Sequence, residues 1–381
     1  MVRLEDLLTV YYRARGNKRR SRDSVRFETD FKAGLLRLWK SLNERSFSAL
    51  SNYAFVVHSP KPREIFATCM ETRIVHHYLD WRLRPVYERV LSDRSFNNRK
   101  GMGLHRAIAT YRRDIAELSD NYTKDAWCVH MDLKGYFPNA DVETALSQQL
   151  RLIEMYYDGE DKEDLKYMME TCMRADPARN CDVYVPMSEL DCVQPEKSLF
   201  NKPKGTGAAI GFLCWQNAMG MYINDVVKWL QGHDFLRVVV FVDDIYVVTN
   251  DRQRFLAVMP VLRSKLAALK VRMNERKFYL QHYSKGVMCL GTMLKFDRRY
   301  MNDIAYERAL LKVDSLAAGK ASPQSMLCSL NSHVGGMKDK EQEGRTRFFV
   351  AKAVRRLGRF IQWDKARRCF GLKEEYRRKV V

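Results

Sequence analysis

The chain has 381 residues, 46% of them hydrophobic, and carries 66 Lys plus Arg against 46 Asp plus Glu, a formal charge of +20. That length holds two or three subdomains around a sizeable core, and the apolar content excludes a disordered polar tail protein. The cations are spread over the body, with clusters at residues 13–22 and 355–379, so the excess predicts a polyanion, most simply nucleic acid, held in a lined groove. Nine scattered cysteines, odd in number and without a C-x-x-C pair, read as reduced thiols and not as a disulfide or zinc framework. Residues 1–10 lack a leader-like apolar core, and no apolar run approaches the ~18 residues of a membrane span. A cytoplasmic protein without a membrane anchor is expected.

In chain order, residues 4–14 and 27–43 show apolar residues at helical spacing, joined by a basic link at 16–22. Residues 53–67 read as two short strands joined by the Pro-stiffened turn 59–63, where Lys61 and Arg63 suit phosphate oxygens as well as plain solvent. Residues 71–90 are helical in pattern. The turn that follows holds Arg99, Lys100, Gly101 and Gly103 before a further helix, an arrangement open to close approach by a phosphate.

A strand over 127–131 ends at Asp132, Gly135 permits a bend, and Pro138 leads toward a helix from Val142. Residues 165–174 are helical in pattern, 181–199 loop with brief strand character. The glycine-rich stretch 202–211 opens a long amphipathic segment over 212–230 and suits a nucleotide or a template strand.

The run 237–250 is β-branched and aromatic except for Asp243 and Asp244, which predicts a half-buried hairpin with both acids at or near its turn. Two adjacent carboxylates repel, and a divalent cation is the economical offset, although an Asp-Asp turn can also simply cap an exposed hairpin. If strand 127–131 pairs with this hairpin, Asp132 joins the two acids, a set able to bind two divalent ions for in-line nucleotidyl transfer. Beyond it, 252–269 reads as helix, 271–280 and 286–295 as strands, and everything from Asp303 as helix broken at 319–323 and near Gly335-Gly336.

The order of these motifs over roughly residues 50–300 resembles the reverse transcriptase family, closest to the bacterial enzymes of diversity-generating retroelements and related, partly defence-associated lineages. The motif Phe241-Val242-Asp243-Asp244 resembles the Tyr-x-Asp-Asp element of that family, and Asp132 with Leu133 its first palm aspartate and the adjacent carbonyl that helps hold metal. The resemblance implies an α+β right-hand polymerase. It would have an N-terminal helical extension (1–48), fingers (49–125), an RRM-like antiparallel palm (126–300, with an insertion about 152–210) and a basic helical thumb (301–381).

It further implies catalysis by Asp132, Asp243 and Asp244 with two Mg²⁺, Mn²⁺ being an alternative. The dNTP would meet Lys61, Arg63, Arg99, Phe137, Ile210, Gly211 and Lys277, and Leu290-Gly291 would form the primer grip. Phe137, five residues beyond Asp132, would close against a ribose 2′-hydroxyl. Ile210-Gly211 stands where most family members carry Gln-Gly, a change that accompanies error-prone copying of template adenines in the diversity-generating group. Phe212 and Trp215 replace that group's usual Asn and Ser.

The expected function is therefore RNA-directed DNA synthesis from a cognate non-coding or template RNA, in a retroelement or an anti-phage system. Expected partners are that RNA, its cDNA, dNTPs, and a small accessory protein or second polymerase subunit, since ~80 residues after the palm suffice for a thumb but not a nuclease as well. The alternatives are protein-primed or untemplated DNA synthesis in phage defence, and a non-catalytic RNA-binding protein.

Overall fold

The computed structural model describes residues 1–377 apart from 17, 59–60, 184, 320 and 339. Ser59 and Pro60 of the expected stiff turn, and Arg378 and Lys379 of the C-terminal basic stretch, lie outside the described residues. The fold is α+β. Two compact units interleave along the chain: residues 1–103, 130–247 and 253–278 form the first, and 104–129, 248–252 and 279–381 the second.

In the first unit, helix Met70–Val90 is the central element, burying Ile74, Tyr78, Leu79 and Leu83 at helical spacing. Helices Leu4–Arg15, Lys162–Arg174 and Leu213–Tyr222 pack on it. Strands β1 (Ser51–Val57) and β2 (Arg63–Thr68) form an antiparallel hairpin in which Val57 faces Arg63 and Phe55 faces Ile65. Strand β3 (Trp127–Asp132) lies in a second sheet, and β4 (Cys181–Val183) adds to β1 in parallel. The second sheet continues with β5 (Leu236–Phe241) and β6 (Asp244–Thr249), in the order β5, β6, β3.

Two expected long helices are each a pair. Residues 27–43 divide into Arg22–Thr29 and Phe31–Asn43, because the Ser21 hydroxyl caps the first helix by accepting from Ser24 N–H, and Asp30 leaves helical geometry at φ −129° and ψ 49°. Residues 212–230 divide at Ile223 into Leu213–Tyr222 and Asn224–Gln231. Tyr222 and Asn224 are anchored apart: the tyrosine hydroxyl donates to Leu269 C=O at 2.8 Å, and Asn224 Oδ1 accepts from Ser92 N–H at 2.8 Å.

The second unit contains helix Leu104–Leu118, strand β7 (Tyr279–His282), and an antiparallel sheet of β8 (Val287–Cys289), β9 (Thr292–Leu294) and β10 (Arg299–Met301). Helices Asp303–Ala318, Pro323–Lys338 and Glu343–Leu357 follow. Val313, Leu330, Val334 and Phe349 pack as their shared core.

Four expectations fail here. The stretch 271–280 is a single bridge at Met273 and a 3-10 turn before β7, and 286–295 is a tight hairpin and not one strand. Gly335-Gly336 sits inside a helix, where packing outweighs the ~1 kcal/mol handicap of each glycine. The region after 357 forms the hairpin β11 (Ile361–Asp364) and β12 (Cys369–Leu372), where Trp363 packs edge-on against Phe370 at 5.0 Å. Among the described residues, no helix is long and apolar enough to cross a membrane, and all nine cysteines are free.

Candidate active site

The buried run Val238-Val239-Val240 fixes β5 in its sheet, and the chain reverses at Val242-Asp243. Val242 takes φ 60°, a left-handed conformation that strains a β-branched residue by roughly 1–3 kcal/mol. Neighbours hold the turn in that shape. Val242 N–H donates to the largely buried Asn97 Oδ1 at 3.3 Å, and residues 94–97 run along β5, with Phe96 N–H donating to Val240 C=O at 3.0 Å.

On the other side, Leu133 N–H donates to Asp243 C=O at 3.0 Å, which brings the end of β3 against the turn. Asp132, Asp243 and Asp244 are thereby gathered at one end of the sheet.

Asp132 is nearly buried and held from both sides. Lys277 Nζ donates to its Oδ1 at 2.5 Å, Asn274 Nδ2 to its Oδ2 at 3.0 Å, and Asn274 N–H to its carbonyl at 2.8 Å. Burial raises the Asp243 carboxyl above the usual aspartate range, the adjacent Asp244 charge raises it further, and Asp132 adds a smaller push, against which Arg63 works. His130 Nε2 lies 2.7 Å from Asp244 Oδ1.

Three carboxylates that feel one another through a low-dielectric site make a hard-oxygen donor set whose charge a divalent cation would offset, so the chemistry fits Mg²⁺. Among the described residues, no group of three or more His, Cys, Asp or Glu side chains is already drawn together as a metal cage. Lys277 and Asn274 occupy the Asp132 oxygens instead.

The remaining expected site residues fall in five places. Lys61 and Arg63 are exposed where the chain passes from β1 to β2, at the connected end of the hairpin, Arg63 near enough for its charge to reach Asp243. Half-buried Phe137 lies in the turn after β3, its carbonyl accepting Ala208 N–H at 2.8 Å, so this turn and the glycine-rich stretch run together. Half-buried Ile210 is tied to β2 by its carbonyl, which accepts Phe66 N–H at 2.8 Å.

Gly211 has φ +116°, and a Cβ there would stand 2.2 Å from Phe66 O. That glycine serves a close approach to a strand, where the sequence suggested a cationic approach to a ligand. Phe212 and Trp215 are fully buried, which explains apolar side chains at those two places.

Arg99 is not brought to the carboxylates. Its guanidinium is 8% exposed, paired with Glu88 at 2.9 Å, and donates to Ser92 and Ser95 carbonyls, pinning the end of helix Met70–Val90 to the following turn. Leu290 and Gly291 belong to the second unit, at φ 47° and 74°, the pattern of a type I′ turn joining β8 to β9.

Sequence reasoning missed His130, Asn274 and Asn97. The signal for the first was present: His130-Met131-Asp132 and Asp244-Ile245-Tyr246 each place a second polar or aromatic side chain on the aspartate's face of a strand.

Residues 58–294 match the family model described as reverse transcriptase (RNA-dependent DNA polymerase). No curated protein sequence matches the chain. Among solved structures, apo telomerase from Candida tropicalis is similar at 10% identity and TM-score 0.48, covering 84% of this chain and 64% of that one. Telomerase from Candida albicans in complex with a TWJ fragment of telomeric RNA is similar at 11% identity and TM-score 0.46, covering 88% of this chain and 59% of that one. The chain thus spans less than two thirds of either telomerase. The family match takes in 237 of 381 residues, including β3 with Asp132 and the whole β5–β6 turn with Asp243 and Asp244, and on it the chain belongs to the reverse transcriptase family.

Proposed function

We propose that this chain is an RNA-directed DNA polymerase whose chemistry is centred on Asp132, Asp243 and Asp244. The observation that carries the reading is the Leu133 N–H to Asp243 C=O bond of 3.0 Å, which in a member of this family joins the two aspartate-bearing segments. Asp132, the Leu133 carbonyl, Asp243 and Asp244 would hold two Mg²⁺, or Mn²⁺, which when bound supply charge neutralisation at the triphosphate and activation of a 3′-hydroxyl.

The protein's own groups do the positioning. Lys61 and Arg63 take the triphosphate by point charge and by bidentate pairing. Phe137 lies beside the ribose and selects dNTP over NTP, Ile210 and Gly211 border the base, and Leu290-Gly291 grips the primer. Lys277, held on Asp132 by a single contact and half exposed, is free to swing to the departing pyrophosphate. Arg99 acts by holding its turn and not by touching the nucleotide.

In this reading residues 49–125 serve as fingers, 126–300 as palm and 301–381 as thumb, behind a helical extension at 1–48. The protein works in the cytoplasm on an RNA encoded at its own locus, with an accessory protein or second polymerase subunit. The subtype favoured by Ile210 is a bacterial diversity-generating enzyme, in which loss of a side-chain amide beside the base relaxes discrimination.

The test is to express the protein with its flanking locus and sequence the co-purifying RNA and DNA, alongside Asp243→Asn. The variant should lose dNTP incorporation by about 10³-fold or more, the equivalent of ~4 kcal/mol of charge stabilisation. Undiminished synthesis by that variant contradicts the reading. Substitutions at template adenines support the diversity-generating subtype, whereas repetitive, fixed-sequence or protein-linked DNA points to a defence polymerase.

A further inference from the structure

The alternation of side chains along a strand puts His130 and Asp132 on one face of β3, and Asp244 and Tyr246 on the matching face of β6. Across the two neighbouring strands His130 Nε2 reaches Asp244 Oδ1 at 2.7 Å, and the same imidazole lies stacked on Tyr246 with centroids 4.7 Å apart and planes 20° apart. An ionised carboxylate has only acceptors, so Nε2 carries the hydrogen and donates it. Both partners are largely enclosed, at 16% and 28% exposure.

Asp132, at the end of β3, and Asp244, at the start of β6, are therefore held in different ways. One oxygen of Asp132 is held by the Asn274 amide and the other by Lys277, a flexible ammonium stem at 53% exposure that leaves easily. Asp244 is held by a ring with only two rotatable bonds, itself fixed by strand pairing and by a stacked tyrosine.

We propose that His130 is a positioning residue for Asp244. It fixes the carboxylate through Oδ1 and so leaves Oδ2 as the oxygen offered to a divalent cation. Donors behind a metal-binding carboxylate orient it, and their loss typically weakens metal affinity 10–100-fold. This inference rests on the polymerase reading above.

The test measures Mn²⁺ binding to the full-length protein by electron paramagnetic resonance, with thermal melting to check folding. The set is wild type, Asp243→Asn, His130→Ala, His130→Phe and His130→Gln. Phe keeps a ring on Tyr246 but has no N–H, so it separates donation from packing.

Both His130→Ala and His130→Phe should bind Mn²⁺ ~10-fold more weakly, and His130→Gln, whose amide can donate from a similar reach, should recover most of that loss. Wild-type or tighter affinity in folded His130→Phe overturns the inference, since the histidine would then be idle or a competitor of the cation. If wild type and Asp243→Asn bind Mn²⁺ alike, the metal-centred reading itself fails.

Discussion

Asp243 is destabilising where it stands. Burial and the charge on Asp244 raise its carboxyl in the folded chain above the aspartate range it has when unfolded. Between those two values the folded state binds more protons than the unfolded one, so stability falls as pH rises through that window and the loss is complete above it. Asp243→Asn should therefore melt at a higher temperature than wild type in EDTA at neutral pH. That advantage should close as pH is lowered through the window, and a variant that melts lower at neutral pH would contradict it.

At this scale the sequence was most readable where chemistry is carried by adjacent residues, as in Asp243-Asp244. It was least readable where direction decides the role. Arg99 was visible as a cation beside glycines, but only the fold shows it turned inward onto Glu88. His130 meets Asp244 through strand pairing, and pairing register is not written in either local stretch.

Among elements, the glycine-rich stretch and β2 are coupled by one close approach. Gly211→Ala must both hold φ +116° and clear Phe66 O at 2.2 Å, so it should destabilise the protein by ~2–4 kcal/mol in denaturant unfolding. Gly205→Ala, at φ +80° with nothing within 4 Å of the added carbon, should lose only ~1 kcal/mol. Equal losses would show that backbone strain alone, and not the approach to β2, governs Gly211.

Periodicity located most helices and the central hairpin, because their apolar stripes are long. It failed where the backbone leaves helical geometry for a single residue, as at Asp30 and Ile223, and where a tight turn such as Leu290-Gly291 divides what looks like a single strand. The hairpin after residue 357 was hidden by the surrounding helical composition, its pairing being set by the core it shares with helix Pro323–Lys338.

For the molecule as a whole, a net charge of +20 should appear as strong salt dependence of RNA binding. If the chain neutralises about 6–10 phosphates, affinity for a duplex should fall ~10³–10⁵-fold between about 50 and 200 mM salt, a slope measurable by filter binding. A flat salt response would rule out the phosphate-lined groove. This expectation rests on composition alone. The interleaving of two units was not legible there, because residues 104–129 join the second unit across a long sequence gap.

Residues 1–48 precede the family match, yet they are a layer of the first unit. Asp6 pairs with Arg82 at 2.8 Å, Arg82 with the buried Asp161 at 3.0 Å, and the Met1 ammonium with Asp164 at 2.8 Å, while helix Leu4–Arg15 covers helix Met70–Val90. A fragment cut to the family boundary would lose part of the first unit's own packing. It would be a core stripped of its lid of side chains, with Arg82 and Asp161 left to answer to water, and engineers seeking a minimal version should shorten elsewhere.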